Sequence, residues 1–504
     1  MRQIIEYFGL EHPALLLLPT ALHIVLFVIV CLHCIKGEPR HPASALLWMF
    51  LAWSFPVIGP LLYLIVGIDR VPQKAWLKQS ADRRFLSERR ARGEALLPAA
   101  YWRSVHEQDP IRHKDCAFIR INDAMDSLLE DYPLLDGNDV RLLLTGDEAY
   151  PAMLDAIASA RRHVHIQTFI IRNDRIGMQF MELLAEKARA GVSVRLLYDR
   201  FGSTHAVMTG LFRRYRRIPG MRIQGWTQAD PMKRQFQINL RNHRKSLIVD
   251  GREAFVGGIN IQAQHATYKG RPPIRDYHFQ LKGPVVLEIQ YAFLRDWHFM
   301  TDEDPKKLLL VDHFPAAEQA GKALVRAIHS GPTQDEKETF IQAVFLCLIS
   351  ARKQILVMTP YFAPPPDIFR AIRTAALRGL DVRIVLPREN NHIYAGLAGQ
   401  ARYEALLEAG ARIFERNPPF LHAKAMLVDD EFALVGTGNL DIRSLRLNYE
   451  SNLLVSDRGF CSELKRAVLD DIGMSTEISL AEWRRRPAVR RMAENFCVLL
   501  SPVI

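Results

Sequence analysis

Two histidines, two lysines, two aspartates and two asparagines recur at matched spacing in this chain of 504 residues. The first set is His243, Lys245, Asp250 and Asn260; the second is His422, Lys424, Asp429 and Asn439. In both, Lys follows His by two positions, Asp by seven, a Gly (Gly257, Gly436) by fourteen and Asn by seventeen. One such phrase is commonplace, whereas two matched copies mark a duplicated half-site. The residue types suit phosphodiester chemistry. Lysine and asparagine donors can hold the non-bridging oxygens of a phosphate as charge grows in the transition state. One imidazole can attack phosphorus; the other can protonate the leaving alkoxide and later deprotonate the incoming hydroxyl. An imidazole pKa of ~6.5 leaves both protonation states available near neutrality. No cluster has the ligand spacing of a zinc or two-metal site, so chemistry without metal or cofactor is expected.

The neighbouring residues must position these groups. Each phrase runs into an apolar stretch, Ser246-Leu247-Ile248-Val249 and Ala425-Met426-Leu427-Val428, which predicts a strand, with His and Lys side by side because residues two apart share a face. Asp250-Gly251 and Asp429-Asp430 predict hairpin turns. Return strands at Ala254-Phe255-Val256 and Ala433-Leu434-Val435 then bring Asn260 and Asn439 back beside the His and Lys. Asp250 and Asp429 complete the repeated catalytic phrase, although holding turn geometry suits them better than touching phosphate. Thr437 is an auxiliary candidate donor to phosphate, with Gly258 in its place in the first copy.

These residues resemble the two HxKxxxxD motifs of the phospholipase D superfamily, each followed by GxN. The likeness extends to bacterial cardiolipin synthases of that type. It is carried by Asn439, Asp441, Arg443, Ser444, Leu447, Asn448, Tyr449 and Glu450, by Arg275-Asp276 with Gly283-Pro284, by Thr359-Pro360-Tyr361-Phe362, and by the closing Leu500-Ser501-Pro502. Gln167, where an acidic residue is more usual, and Tyr277-His278 depart from the pattern. The resemblance implies transfer of a phosphatidyl group between two phosphatidylglycerols, with His243 as nucleophile and His422 as acid and base. It also implies that Asp276 and Glu450 accept hydrogen bonds from the catalytic imidazoles. Which acid serves which histidine stays open, as does pairing of these acids with Arg275 and Arg443. A hydrolase of the same superfamily, a phospholipase or nuclease, would use the same residues with water as acceptor. Phosphatidylethanolamine or a free alcohol are alternative acceptors. A non-catalytic scaffold would not need both phrases complete.

The net charge of +11 fits an anionic partner, either nucleic acid or an anionic membrane surface. Two apolar stretches, 13 to 35 and 43 to 68, are long enough to cross a bilayer. Arg70, Lys74, Lys78, Arg83, Arg84, Arg89, Arg90 and Arg92 follow, whereas the loop between the stretches holds only Lys36 and Arg40 as basic residues. The positive-inside rule then places both termini and the catalytic part on the cytoplasmic side, and the resemblance implies that the membrane is a bacterial inner membrane. The basic run is expected to meet anionic phospholipid headgroups; phosphatidylglycerol and the bilayer are the expected partners, and nucleic acid is not. A signal peptide fits the first stretch poorly, because another apolar stretch follows at once. The six cysteines show no disulfide or zinc framework.

The remainder reads as two similar halves. Ser159-Ala160-Arg161 and Ser350-Ala351-Arg352 each precede a strand. A helical stretch follows, ending at Gly191 or Gly379, and then another strand (Val192 to Tyr198, Leu380 to Leu386). The expected fold is α/β: mixed sheets flanked by helices, two halves about a pseudo-twofold axis, preceded by two transmembrane helices. The expected division is 1–70 as membrane anchor, 71–115 as basic linker, 116–310 as first half and 311–504 as second half. The tail from Trp483, with five arginines and then Phe496, Val498, Leu499 and Leu500, reads equally as an interfacial helix or one packed on the second half.

Overall fold

The computed structural model describes residues 13–36, 42–64, 78–88, 117–129, 131–226, 241–332, 336 and 338–499. Arg70, Lys74, Arg89, Arg90, Arg92, Cys116 and the closing Leu500-Ser501-Pro502 lie outside them. The chain divides into two compact units, Met1–Gln73 and Lys74–Ile504.

The first unit contains helices Pro13–Lys36, Pro42–Ser54 and Ile58–Leu62. Aromatic edges hold them together, Phe27 on Trp53 at 5.1 Å and Trp48 on Tyr63 at 5.5 Å between ring centroids. Leu22, Val25, Ile29 and Leu32 on the first helix and Leu46, Leu47 and Phe50 on the second remain exposed. Among the described residues no helix is long and apolar enough to cross a membrane; on the first helix, side chains are described only from Thr20 to Ile35.

The second unit is built on one fifteen-stranded mixed sheet. The first half contributes β1 (Leu134–Leu144), β2 (His163–Thr168), β3 (Ser193–Asp199), β4 (Met221–Trp226), β5 (Ser246–Val249), β6 (Glu253–Gly257) and β7 (Tyr277–Lys282). The second contributes β8 (Ala323–Ser330), β9 (Gln354–Met358), β11 (Asp381–Pro387), β12 (Arg412–Arg416), β13 (Ala425–Val428), β14 (Phe432–Gly436), β16 (Glu450–Ser456) and β17 (Ser475–Glu477), while β10 (Phe362–Ala363) and β15 (Leu440–Asp441) pair separately. Outward from the centre the order is β1-β7-β6-β5-β2-β3-β4 in one half and β8-β16-β14-β13-β9-β11-β12-β17 in the other. Strand for strand this is one fold repeated, with β17 added at one edge. The two expected sheets are one, because β1 and β8 pair antiparallel, Leu134 opposite Arg326 and Leu135 opposite Val325.

Local sequence explains the repeated parts. β5 and β13 span the predicted apolar runs, and each pairs antiparallel with its return strand. Each hairpin loop is three residues long, 250–252 and 429–431, and its first two residues have positive φ, 53° and 64° at Asp250-Gly251 and 54° and 60° at Asp429-Asp430. That is the hairpin geometry Asp and Gly tolerate best. The helices Arg175–Arg189 and Pro366–Leu377 bury one face each and end before Gly191 (φ 92°) and Gly379 (φ 84°). β7 and β16 lead into helices Val285–Thr301 and Arg458–Gly473, which share one buried cluster.

The helical stretch 78–88 departs from its expected role. Arg83 and Arg84 are exposed, but Lys78 is fully buried, paired with Asp82 at 2.9 Å and Asp296 at 3.3 Å. Phe85 packs against Tyr291 and His298. Lys78 therefore serves the core and is withdrawn from any lipid surface. Helix Ala488–Leu499 also packs on the second half, burying Glu494 and Cys497, while Val489, Met492 and Phe496 stay exposed. Cys31, Cys34, Cys347, Cys461 and Cys497 are free thiols.

Candidate functional site

Each catalytic phrase is fixed by the opposite half. Two short parallel bridges, Asn242 with Tyr449 and Arg275 with Leu421, cross between the halves. The His243 amide donates to the Tyr449 carbonyl at 2.9 Å, and the His422 amide to the Arg275 carbonyl at 2.7 Å. One residue after each bridge partner stands an acid. His243 Nδ1 lies 2.9 Å from Glu450 Oε2, and His422 Nδ1 2.6 Å from Asp276 Oδ2. The pairing left open by the sequence is thus crossed: the acid downstream of one phrase serves the histidine of the other. Both carboxylates are fully buried. Burial pushes Asp276 up, but His422 and Lys424 outweigh it and its pKa falls to about 2. Glu450 is lowered against the same penalty by His243 and Lys245. Burial, above all, lowers both imidazoles, His422 to about 3.

Both histidines open onto one cavity of about 510 Å³, with Asn260 and Asn439 in its wall. Asn260 is held by the Ile170 amide at 3.1 Å. Asn439 is 5% exposed, and its Oδ1 has no hydrogen-bond partner among the described residues. The lysines lie beneath the histidines. Lys245 Nζ donates to the His243 carbonyl at 2.7 Å, and Lys424 Nζ to the His422 carbonyl, 3.0 Å from His422 Nδ1. Phe169, Phe201, Tyr361 and Phe420 supply aromatic wall, and Arg172, Arg241 and Arg443 supply charge.

Burial is the main cause lowering Lys245 to about 7 and Lys424 to about 8; the nearby carboxylates offset only part of it. A lowered lysine is charged below its pKa and neutral above it. The free enzyme's kcat/KM is therefore expected to fall as pH rises through about 7 to 8. Lys245→Arg, which stays charged, should move that alkaline limb upward in whatever activity it retains. A limb at the same pH in the variant would assign it to another group.

One member of the expected set needs correction, Thr437, while Asp250 and Asp429 take the turn-holding role that suits them better than touching phosphate. Thr437 does not face phosphate: its hydroxyl donates to Glu450 Oε2 at 2.6 Å and accepts from the Ser451 amide at 2.9 Å. Its counterpart Gly258 is small for a related reason, since a Cβ there would lie 2.0 Å from Asp276 Oδ1. Asp250 and Asp429 stand apart from the cavity. Asp250 accepts the amides of Arg161, Arg162 and His163, each at 2.8 Å. Asp429 accepts those of Arg352, Lys353 and Gln354 at 2.7–2.8 Å. They tie each hairpin turn to the start of β2 or β9, the turn-holding role rather than a chemical one. Asp250→Ala should cost about 2 kcal/mol of stability or more, through lost charge-assisted bonds and a positive φ alanine resists. Denaturant unfolding checks this; an unchanged midpoint with activity abolished would return Asp250 to the chemistry.

Sequence reasoning missed several contributors. His265 lines the cavity with its Nδ1 3.8 Å from Asp276 Oδ2, and burial lowers it to about 4. A lone histidine five positions after Asn260 gave no signal. Arg244, the spacer between His243 and Lys245, points into the core. It reaches Asp296 at 2.7 Å, Glu336 at 2.8 Å and the Glu450 carbonyl at 3.2 Å. Gln167, the unexpected amide, donates to Asp296 at 2.9 Å. A carboxylate there would face Asp296 with like charge, so the neutral side chain fits.

The repeated geometry agrees with comparison to known proteins. The family described as "Cardiolipin synthase, PLD-like domain" matches residues 153–270 and 345–471, one stretch in each half. A cardiolipin synthase of Geobacillus kaustophilus is 33% identical over 482 residues, 93% of this chain and 91% of that protein. Cardiolipin synthase A of Pseudomonas entomophila is 38% identical over 483 residues, 95% and 96% of the two chains. The chain belongs to the cardiolipin synthase family of phospholipase D-like proteins. Within this family assignment, residues 25–67 separately match a "Phospholipase_D-nuclease N-terminal" segment. A phosphatidylserine synthase of Haemophilus influenzae has the same fold, with a TM-score of 0.58 at 14% identity, covering 76% of this chain and all of that one.

Proposed function

We propose that the chain transfers a phosphatidyl group between two phosphatidylglycerol molecules, giving cardiolipin and glycerol. The observation that carries this reading is the crossed pairing: two imidazoles, each backed by the other half's carboxylate, open onto one cavity. The carboxylates engage Nδ1, so Nε2 is the reacting atom of each ring. His243 Nε2 bonds to the donor phosphorus as the bond to the glycerol oxygen breaks, and His422 gives that oxygen a proton. The primary hydroxyl of the second phosphatidylglycerol then gives a proton to His422. Its oxygen bonds to phosphorus and the phosphorus–nitrogen bond to His243 breaks. Lys245, Lys424, Asn260 and Asn439 support both displacements, so one cavity serves two similar transition states. Burial keeps both imidazoles neutral before substrate arrives; the negative charge of a bound phosphodiester favours a proton on His422.

The relatives' names and the aromatic wall favour a lipid acceptor over water. We also propose that residues 1–70 anchor the chain in a bacterial inner membrane, with halves at 116–310 and 311–504 on the cytoplasmic side; of the expected linker 71–115, the stretch 78–88 belongs to the core. The exposed apolar side chains of the first unit and the N-terminal family match support the anchor. The test is product analysis with purified full-length protein and phosphatidylglycerol as the only lipid, in detergent micelles. Equal amounts of cardiolipin and glycerol are expected. Phosphatidic acid as the main product would overturn the transfer reading in favour of a hydrolase.

A further inference from the structure

We propose that Arg241 and Arg443 form a separate binding site for the phosphate of the acceptor lipid. The proposal rests on the transfer reading above and adds where the second substrate is held. The donor brings one phosphate, and that phosphate reacts. The acceptor brings another that must remain intact, with three carbons and one oxygen between its attacking hydroxyl and its phosphorus. A second anion therefore enters the cavity beside the reacting centre and needs its own counter-charge. Lys245 and Lys424 are committed beneath the two histidines. The cavity's arginines lie elsewhere in its wall.

Arg241 and Arg443 approach from opposite halves. Arg241 precedes His243 by two residues, and Arg443 follows Asn439 by four. The Arg241 guanidinium lies over the Phe201 ring, 3.7 Å from its centroid, and the residue is only 9% exposed. Stacking fixes the plane of the guanidinium, whose edge presents paired N–H donors matched to two phosphate oxygens. Burial lowers the Arg241 pKa; Asp199 opposes this, and the Arg443 charge adds to the lowering. Two like charges this near in one partly buried wall gain from an anion bound beside them. Asn448, in the same wall and 8% exposed, has a side-chain oxygen with no hydrogen-bond partner among the described residues. It suits the acceptor headgroup's secondary hydroxyl.

The experiment compares acceptors with the full-length protein in micelles at fixed donor. The acceptors are phosphatidylglycerol, water-soluble glycerophosphoglycerol, and 1,3-propanediol, which has the hydroxyl but no phosphate. Arg443→Gln and Arg241→Gln should each raise the KM for both phosphate-bearing acceptors by about tenfold or more. Transfer to propanediol should stay within roughly twofold, and Arg443→Lys should recover part of the loss. Arg443 is the less buried of the two, so its variant carries the test if Arg241→Gln fails to fold. Equal losses for all three acceptors would place the arginines on the reacting phosphate and overturn the proposal. Unchanged acceptor KM values would do so too. Loss confined to the lipid acceptor would point instead to the membrane surface. Wild-type protein that only hydrolyses its donor would sink the transfer reading itself, a separate result.

Discussion

Replacing His243, His422 or both with alanine is expected to lower phosphatidyl transfer by roughly a thousandfold or more, with the double variant no slower than either single one. The two rings act as one unit: each displacement needs one as nucleophile or leaving group and the other as acid or base. Removing one leaves its partner nothing to work with, so the losses do not add. The architecture makes this severe. Each catalytic ring is held by a backbone bond and a carboxylate from the opposite half, so neither half supplies both His243 or His422 and the acid that backs it. Steady-state rates of the three variants, with folding checked by circular dichroism, decide it. A single variant retaining a tenth of wild-type activity would contradict the paired site.

The second large effect concerns the crossed acids. Glu450→Gln and Asp276→Asn should each reduce turnover by about a hundredfold or more, because an amide no longer stabilises a charged imidazole or fixes its tautomer. The two losses should differ in kind. Glu450 backs His243, so Glu450→Gln should slow formation of the covalent adduct. Asp276 backs His422, so Asp276→Asn should slow proton transfer, and a donor with a good leaving group should rescue its first step. That contrast follows from the observed 2.9 Å and 2.6 Å contacts. Rapid-quench measurement of the first step in both variants tests it. Rescue of Glu450→Gln and not of Asp276→Asn would reverse the assignment of the two histidines.

The repeated phrase made much of the site legible. The apolar runs after each Lys, the Asp turns and the helix-ending glycines are local signals, and β5, β13 and their hairpins stand where those signals put them. The phrase also named residues that meet at one cavity, His243, His422, Asn260 and Asn439. What it could not give depends on pairing between distant segments. The crossing of Glu450 and Asp276 arises from bridges at Tyr449 and Arg275, which no periodicity encodes. The single sheet follows from β1 meeting β8. Thr437 is an auxiliary candidate donor to phosphate in the sequence, yet its hydroxyl turns to Glu450 thirteen residues on. Lys78 looked like part of a basic run that meets lipid headgroups, but its ammonium finds Asp296 across more than two hundred residues. A charge run shows sign and density, not which member the core will take.

The most direct test of the central claim, one site built by two halves and working through a phosphatidyl-histidine, is to trap the adduct. His422→Ala is mixed with phosphorus-labelled donor carrying a good leaving group, quenched rapidly, and the acid-labile label mapped to a residue. The account predicts label on His243, with none formed by His243→Ala. No adduct in either variant under these conditions would contradict it and favour direct transfer between the lipids.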